Sequence, residues 1–184
     1  LLHASHVDVR QISPLAIRPY PRRYVRQATL KTGETITIRP IRPEDEPLMV
    51  PLHEGLSDRS VYLRYFHTMK LNQRVAHERL TGICFIDYDR EMALVAERRG
   101  GGDQGRALIG VARLHKVHGT RDAEFSVLVG DRYQSQGLGS ELMRRLIDVA
   151  REEGLARIHA DVLSENIDMQ RLCTKLGISL RHTS

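Results

Sequence analysis

Gln134-Ser135-Gln136-Gly137-Leu138-Gly139-Ser140 lies between a strand pattern and a helix pattern. Ahead of it, Phe125, Val127 and Val129 alternate with Ser126 and Leu128, as in a short half-buried strand closed by Gly130-Asp131. Behind it, Leu138, Leu142, Met143, Leu146, Val149 and Ala150 recur at helical spacing. Glu141, Arg144, Arg145, Asp148 and Arg151 fall on the opposite face, and Gly154 suits the C-terminal stop. Two glycines where a loop enters a helix let the backbone approach a ligand closely and aim free N–H groups at it. Backed by the positive end of the helix dipole, those groups suit an anion such as a pyrophosphate. The same glycines also serve a plain strand-to-helix turn, and the spacing alone leaves both readings open.

Other phosphate loops do not fit. G-x-G-x-x-G fails because position 142 is Leu142, and no Gly-Lys-Ser/Thr follows. The stretch resembles the Q/R-x-x-G-x-G/A signature of the GNAT family of N-acetyltransferases, carried here by Gln134, Gly137 and Gly139. A second resemblance lies downstream, where the family's final helix often reads N-x-x-A-x-x-L-Y-x-K-L-G-F. Asn166, Leu172, Lys175, Leu176 and Gly177 stand at that spacing, with Met169 at the Ala position and Cys173 at the Tyr position. Each motif is weak alone, and the two agree in their separation.

The resemblance implies an α/β fold of mixed α+β type, a mainly antiparallel sheet with helices on both faces. In the family the fourth and fifth strands splay apart, so that acyl-CoA enters from one side and the amine from the other. It implies acetyl-CoA as co-substrate. The backbone of Leu128 and Val129 would pair with the pantetheine arm, Gln134, Ser135, Gln136, Gly137, Leu138, Gly139 and Ser140 would hold the pyrophosphate, and Asn166 would bond the arm from the opposite wall. On the residues alone, Leu128 and Val129 also read as core, and Asn166 as a helix N-cap.

A lysine acceptor has a pKa near 10.4, so roughly one in a few thousand is neutral at pH 7. A carboxylate in a partly desolvated cleft can take the proton. Glu124, at the start of the central strand, is the candidate. Protein lysine acetyltransferases fused to synthetase domains carry a glutamate that looks equivalent, while the bland reading is an exposed strand-end carboxylate. A backbone N–H near Val127–Val129 would meet the oxyanion. Many family members protonate the leaving thiolate with the Tyr that Cys173 replaces. Cys173 reads better as packing, which leaves the acid unassigned.

The rest of the chain must position these groups. Its 184 residues suit one domain. No apolar run is long enough to span a bilayer. No signal peptide is visible. Cys84 and Cys173 are far apart without metal-type spacing, which suggests free thiols in a reducing cytoplasm and no metal site. Residues 1–30, with Pro14, Pro19 and Pro21 among Arg18, Arg22, Arg23 and Arg26, read as an extended linker. His6–Arg10 and Leu15–Pro21 resemble the end of an ADP-forming acyl-CoA synthetase and the bridge that follows. The resemblance thus implies a linker over 1–30, behind such a region, and an acetyltransferase domain over 31–184. Nucleic acid is disfavoured as a partner of the arginines, since no aromatic-rich RNA motif accompanies them.

A hairpin is expected across Lys31-Thr32-Gly33, then helices opening at Arg42–Glu46, over Ser57–His67 and over Asn72–Leu80. In the family the region after the first strand shapes the acceptor site, which Tyr62, Tyr65 and Phe66 could line, though at least two of them are expected in the core. Strands are expected over Glu91–Arg98, Arg106–Val117, Ala123–Gly130 and Arg157–Val162, a helix over Asn166–Lys175, and a last strand from Ile178. On the strand over 106–117, Ala107, Ile109 and Val111 are expected to share a face opposite Leu108 and Ala112. The net charge of +5 favours acidic ligands, CoA among them. The acceptor implied by the resemblance is a protein lysine, on metabolic enzymes such as acyl-CoA synthetases. A small-molecule amine acetyltransferase and a non-catalytic acyl-CoA sensor are the alternatives.

Overall fold

The computed structural model describes residues 18–100 and 105–181. The stretch His6–Arg10, and most of the synthetase-like opening, lie outside the described residues.

Six strands form one sheet in the order of the chain: β1 (Arg26–Thr29), β2 (Thr35–Pro40), β3 (Glu91–Arg99), β4 (Arg106–Lys116), β5 (Asp122–Val129) and β6 (Arg157–His159). β1 to β5 are antiparallel neighbours and β6 is parallel to β5. The parallel step is possible because α5 (Leu138–Glu152) supplies the crossover between them. α1 (Glu46–Glu54), α2 (Asp58–Tyr65), α3 (Leu71–Arg74) and α4 (His77–Cys84) fill the connection from β2 to β3, and α6 (Ile167–Lys175) follows β6.

Both faces of the sheet are covered, and strand alternation divides the side chains between them. Met92, Leu94 and Ala96 join Ile38, Leu114 and Phe125 under the apolar stripe of α5. Ala93 and Val95 join Val111 and Leu128 under Met49, Leu52, Val61 and Leu80 of α1, α2 and α4. The stripe of α5 is the one read from the sequence, and all six of its residues are buried. Gly154, at φ +70°, ends the helix, and Leu155 N–H donates back to Ala150.

β4 departs from simple alternation. Ala96 pairs with Gly110 and Glu97 with Leu108, so Ile109 is an extra residue in a bulge. Ile109 therefore faces the α5 side while Val111 faces the α1 side, contrary to the shared face expected of them. Gly110 follows the bulge, and a Cβ there would crowd Leu128 O and the Leu142 side chain, each at 3.1 Å, so glycine suits the close packing of β4 against β5 and α5.

Four other expectations shift. The third helix is two pieces, α3 and α4, separated at Val75-Ala76. Tyr62 and Phe66 are 37% and 47% exposed, and of the aromatic trio Tyr65 alone packs against the core. The segment after Arg157 is strand only to His159, and residues 178–181 form no strand.

Residues 18–30, read as linker, pack on the domain. Tyr24 and Leu30 are buried in the core, and β1 pairs with β2. Arg18, Arg23, Tyr24 and Lys116 all donate to Glu153 just past α5. Burial opposes ionisation of Glu153, yet the bonds from Arg18, Tyr24 and Lys116 hold its carboxyl down to about 2. Among the described residues no helix is long and apolar enough to cross a membrane.

Candidate active site

β5 and β6 pair only over Asp122–Glu124 and Arg157–His159, and then part. Between them opens a cleft of about 690 Å³, within the usual range of small-molecule sites. Its floor is Glu124 to Val129 of β5. Its walls are Ala160 to Val162 with the start of α6, the loop before α5, and the face of α2 bearing Arg59, Ser60, Leu63 and Arg64.

The free edge of β5 faces this opening. Val117 N–H donates to Asp122 O and Gly130 N–H to Ile109 O, so Asp122 and Gly130 face β4. Alternation then turns the amides of Val127 and Val129 toward the cleft and that of Leu128 toward β4. An extended ligand could therefore bond Val127 and Val129 as an added strand would. Leu128 also buries its side chain on the α1 side, so its core reading holds along with its place in the cleft lining.

The loop ahead of α5 has the geometry of an anion cradle. Gly137 is left-handed at φ +88° and stands at the N-cap. Glu141 N–H makes the first intrahelical bond, to Gly137 O, so the amides of Leu138, Gly139 and Ser140 stand ahead of the ladder. Ser135 is left-handed as well, at φ +61°. A Cβ on Gly139 would lie 3.6 Å from Leu172 and 3.8 Å from Val129, between α6 and β5. Gln134, Ser135, Gly137, Gly139 and Ser140 line the cleft; Gln136 instead donates to Arg132 O, and Leu138 is buried in the core. The side chain of Gln134 lies at the β5 and α2 side of the loop. Its amide donates to Val129 O, Asp131 and Ser60, tying the loop to β5 and α2.

Asn166 caps α6, its side chain accepting from Met169 N–H at 3.2 Å, and it also lines the cleft. The cap and a ligand contact are compatible, because the amide N–H₂ is left over from the capping bond. Glu124 is exposed on the floor where the strands part, on the same face of β5 as Ser126. Cys173 is buried in the α5-side core, where burial raises its thiol, and it does not line the cleft. It acts there as a packing residue.

Several lining residues escaped the sequence reading. Lys31 N–H donates to Gln136 O, and the Lys31 side chain lies against Gly137. Arg171 and Lys175 stand one turn apart on α6, and Arg59 and Arg64 on α2. The i, i+4 pair on α6 was visible in the sequence. Lys31 had no local signal, since only the packing of the β1–β2 turn against the loop brings it there.

The chain was compared with known proteins. The family model described as "Acetyltransferase (GNAT) domain" matches residues 35–179. An acetyltransferase of Pseudomonas aeruginosa is 31% identical over 81% of this chain and 77% of its own. The acetyltransferase Pat of Mycolicibacterium smegmatis is 30% identical over 80% of this chain, which spans 42% of that longer protein. Among solved structures, the GNAT domain of S. lividans PAT superimposes with a TM-score of 0.78 at 27% identity, covering 89% of this chain and 93% of that one. The chain belongs to the GNAT acetyltransferase family.

Proposed function

We propose that this acetyltransferase moves the acetyl group of acetyl-CoA to the side-chain amine of protein lysines, with Glu124 as general base. Acetyl-CoA brings the thioester, and the chain's residues bind it and manage the proton. The amides that open α5, with Lys31 beside them, take the pyrophosphate. The free amides of Val127 and Val129 take the pantetheine arm and, at the thioester, the developing oxyanion. Glu124 accepts the ammonium proton of the incoming lysine, directly or through one water; the neutral amine then forms the amide bond as the thioester C–S bond breaks, CoA leaves as its thiolate, and the second proton shed by the nitrogen passes to solvent. Asn166 steadies the arm from α6.

The observation that carries this reading is the position of Glu124. It is the β5 carboxylate on the cleft floor, at the point where β5 leaves β6 and the cofactor edge begins. A protein acceptor is favoured by the name Pat of the relatives. Acyl-CoA synthetases are the first acceptors to try, on the resemblance of the opening residues.

The test is steady-state transfer from acetyl-CoA to a lysine-bearing acceptor, with sites located by mass spectrometry. Glu124→Gln should lower kcat by on the order of 10²–10⁴ while acetyl-CoA affinity, read by calorimetry, stays within about twofold. Unchanged turnover in Glu124→Gln would remove the base assignment. Turnover confined to small amines would move the acceptor to that class.

A further inference from the structure

Beneath the wall formed by α2, four arginines gather with few carboxylates. Arg64, Arg74, Arg79 and Arg113 all act electrostatically on His53, a fully buried residue of α1. Neither ring nitrogen of His53 has a hydrogen-bond partner among the described residues. Burial and those four cations push His53 down to about 4, so the ring stays neutral and offers no counter-charge. Arg113 pairs with Glu91. Arg74 donates to the carbonyls of His53 and Leu56, and Arg79 to that of Arg74. Tyr65 lies between Arg64 and Arg79, whose guanidinium carbons stand 4.9 Å and 5.0 Å from its ring centre.

Arg64 is the member of this group that opens on the cleft. It also lines the small cavity beneath, with His53, Arg113 and Ser126. Its guanidinium donates to Ser126 Oγ at 2.7 Å, and among the described residues it makes no ion pair within 4 Å. Glu124 is the carboxylate whose field reaches it. A part-buried cation held by one neutral hydroxyl and the face of Tyr65, with Arg79 and Arg113 acting against it, retains a demand for an anion. The flanking sequence deepens the bias: residues 57–80 carry Arg59, Arg64, Lys70, Arg74 and Arg79 against Asp58 and Glu78.

Glu124 and Ser126 are two residues apart on one face of β5, a separation of about 7 Å. The floor of the cleft thus presents a negative group at Glu124 and a positive group, on Ser126, one strand repeat further on. That arrangement is complementary to an acceptor whose amine and carboxylate side chains stand two residues apart on one face of an extended segment.

We propose that Arg64, seated on Ser126, is an anion subsite that selects acceptor lysines with an aspartate or glutamate two residues away in sequence. The inference rests on the protein-lysine reading of the acceptor. Arg64 would hold the acidic side chain while the lysine reaches Glu124, with Arg59 adding long-range attraction at the rim.

The test uses pairs of short N-terminally acetylated peptide amides with a free lysine side chain that differ only in Glu or Gln two residues from that lysine, with free glutamate and lysine as small-molecule arms. Binding in the presence of CoA is read by calorimetry and transfer by initial rates. The Glu peptide should bind at least tenfold more tightly than the Gln peptide and react with a correspondingly higher kcat/KM. Arg64→Gln should bring the two within about twofold, and Arg64→Lys, which keeps the charge without the fork, should keep part of the preference. Equal binding of the two peptides by the unsubstituted protein, or a preference that survives Arg64→Gln, overturns the subsite. Preferential binding of the Glu peptide without transfer to any peptide leaves the subsite standing and removes the protein-lysine reading. Tighter binding of free glutamate than of the Glu peptide reassigns the subsite to a small amino acid.

Discussion

The two faces of the sheet are built by different rules. On the α5 side the core is apolar throughout, and α5 ends in satisfied groups at Glu153 and open amides at Leu138 to Ser140. On the α1–α4 side the core encloses His53 and Arg74, and the wall above it carries unneutralised cations and the exposed, left-handed Phe66 at φ 63°. On the proposed function, the first face would meet the cofactor and the second the acceptor. Backbone amides at a helix start recognise a phosphate whatever else the ligand carries, whereas a set of placed side chains distinguishes one acceptor from another. The difference places generality on one wall of the cleft and selectivity on the other.

The largest effect that would sharpen this contrast is one of pH. His53 has a folded pKa of about 4, below its usual 6.5, so the folded state binds fewer protons than the unfolded one as pH falls. Stability contributed by the neutral ring is complete above pH 6.5 and is lost as pH falls toward 4, by about 3 kcal/mol in all. Glu153, held to about 2, acts only below pH 4.5, so the window from 6.5 to 4.5 belongs to the α1 side. Denaturant midpoints should fall across that window in the unsubstituted protein and stay much flatter in His53→Leu. Parallel declines in both proteins would mean that the buried ring is not what distinguishes the two faces.

The sequence discloses the α5 side almost completely, because its information is local. The stripe from Leu138 to Ala150, the glycines at 137 and 139 and the stop at Gly154 all lie within one strand–turn–helix stretch. The alternation of β5 and the cap at Asn166 are local as well. The acceptor side is hidden for the opposite reason. Arg64 meets Ser126 across 62 residues and Arg39 meets Glu97 across 58, and neither pair leaves a spacing signal. The bulge at Ile109 is equally silent, since an extra residue shows only against the partner strand. The trio Tyr62, Tyr65 and Phe66 looks like core by composition. The left-handed turn at Phe66 and the placement of α2 over the cleft send Phe66 to the cleft, where it lines the opening, and leave Tyr62 partly exposed.

A smaller effect separates the two glycines of the cradle. Gly137 has φ +88°, and a Cβ there would meet nothing closer than Lys31 at 3.7 Å, so the penalty of Gly137→Ala is one of backbone conformation, about 1–2 kcal/mol. Gly139 lies inside α5, where alanine is the better helix former by up to about 1 kcal/mol and the new Cβ makes only ordinary contacts with Leu172 and Val129. Thermal melts should therefore shift in opposite directions, down for Gly137→Ala and up or unchanged for Gly139→Ala. Both should weaken acetyl-CoA, the first by relaxing the loop and the second by placing a methyl group between β5 and α6. Equal melting shifts would show that the left-handed turn is not what shapes the cradle.

The smallest effect concerns Asn166, where a structural and a binding role share one side chain. Its Oδ1 caps α6 through Met169 N–H, a bond whose loss in Asn166→Ala costs about 1 kcal/mol. Asn166→Asp keeps an N-capping oxygen and should hold the melting temperature close to that of the unsubstituted protein. It replaces the free N–H₂ with a second acceptor, so it can no longer donate to a carbonyl of the pantetheine arm. If α6 is part of the general, cofactor-facing side of the cleft, Asn166→Asp should raise the KM for acetyl-CoA several-fold with little change in stability. Asn166→Ala should then move both quantities. A KM that follows the melting temperature through the two variants would assign Asn166 to the helix alone. Recognition of the arm would in that case fall to the amides of Val127 and Val129.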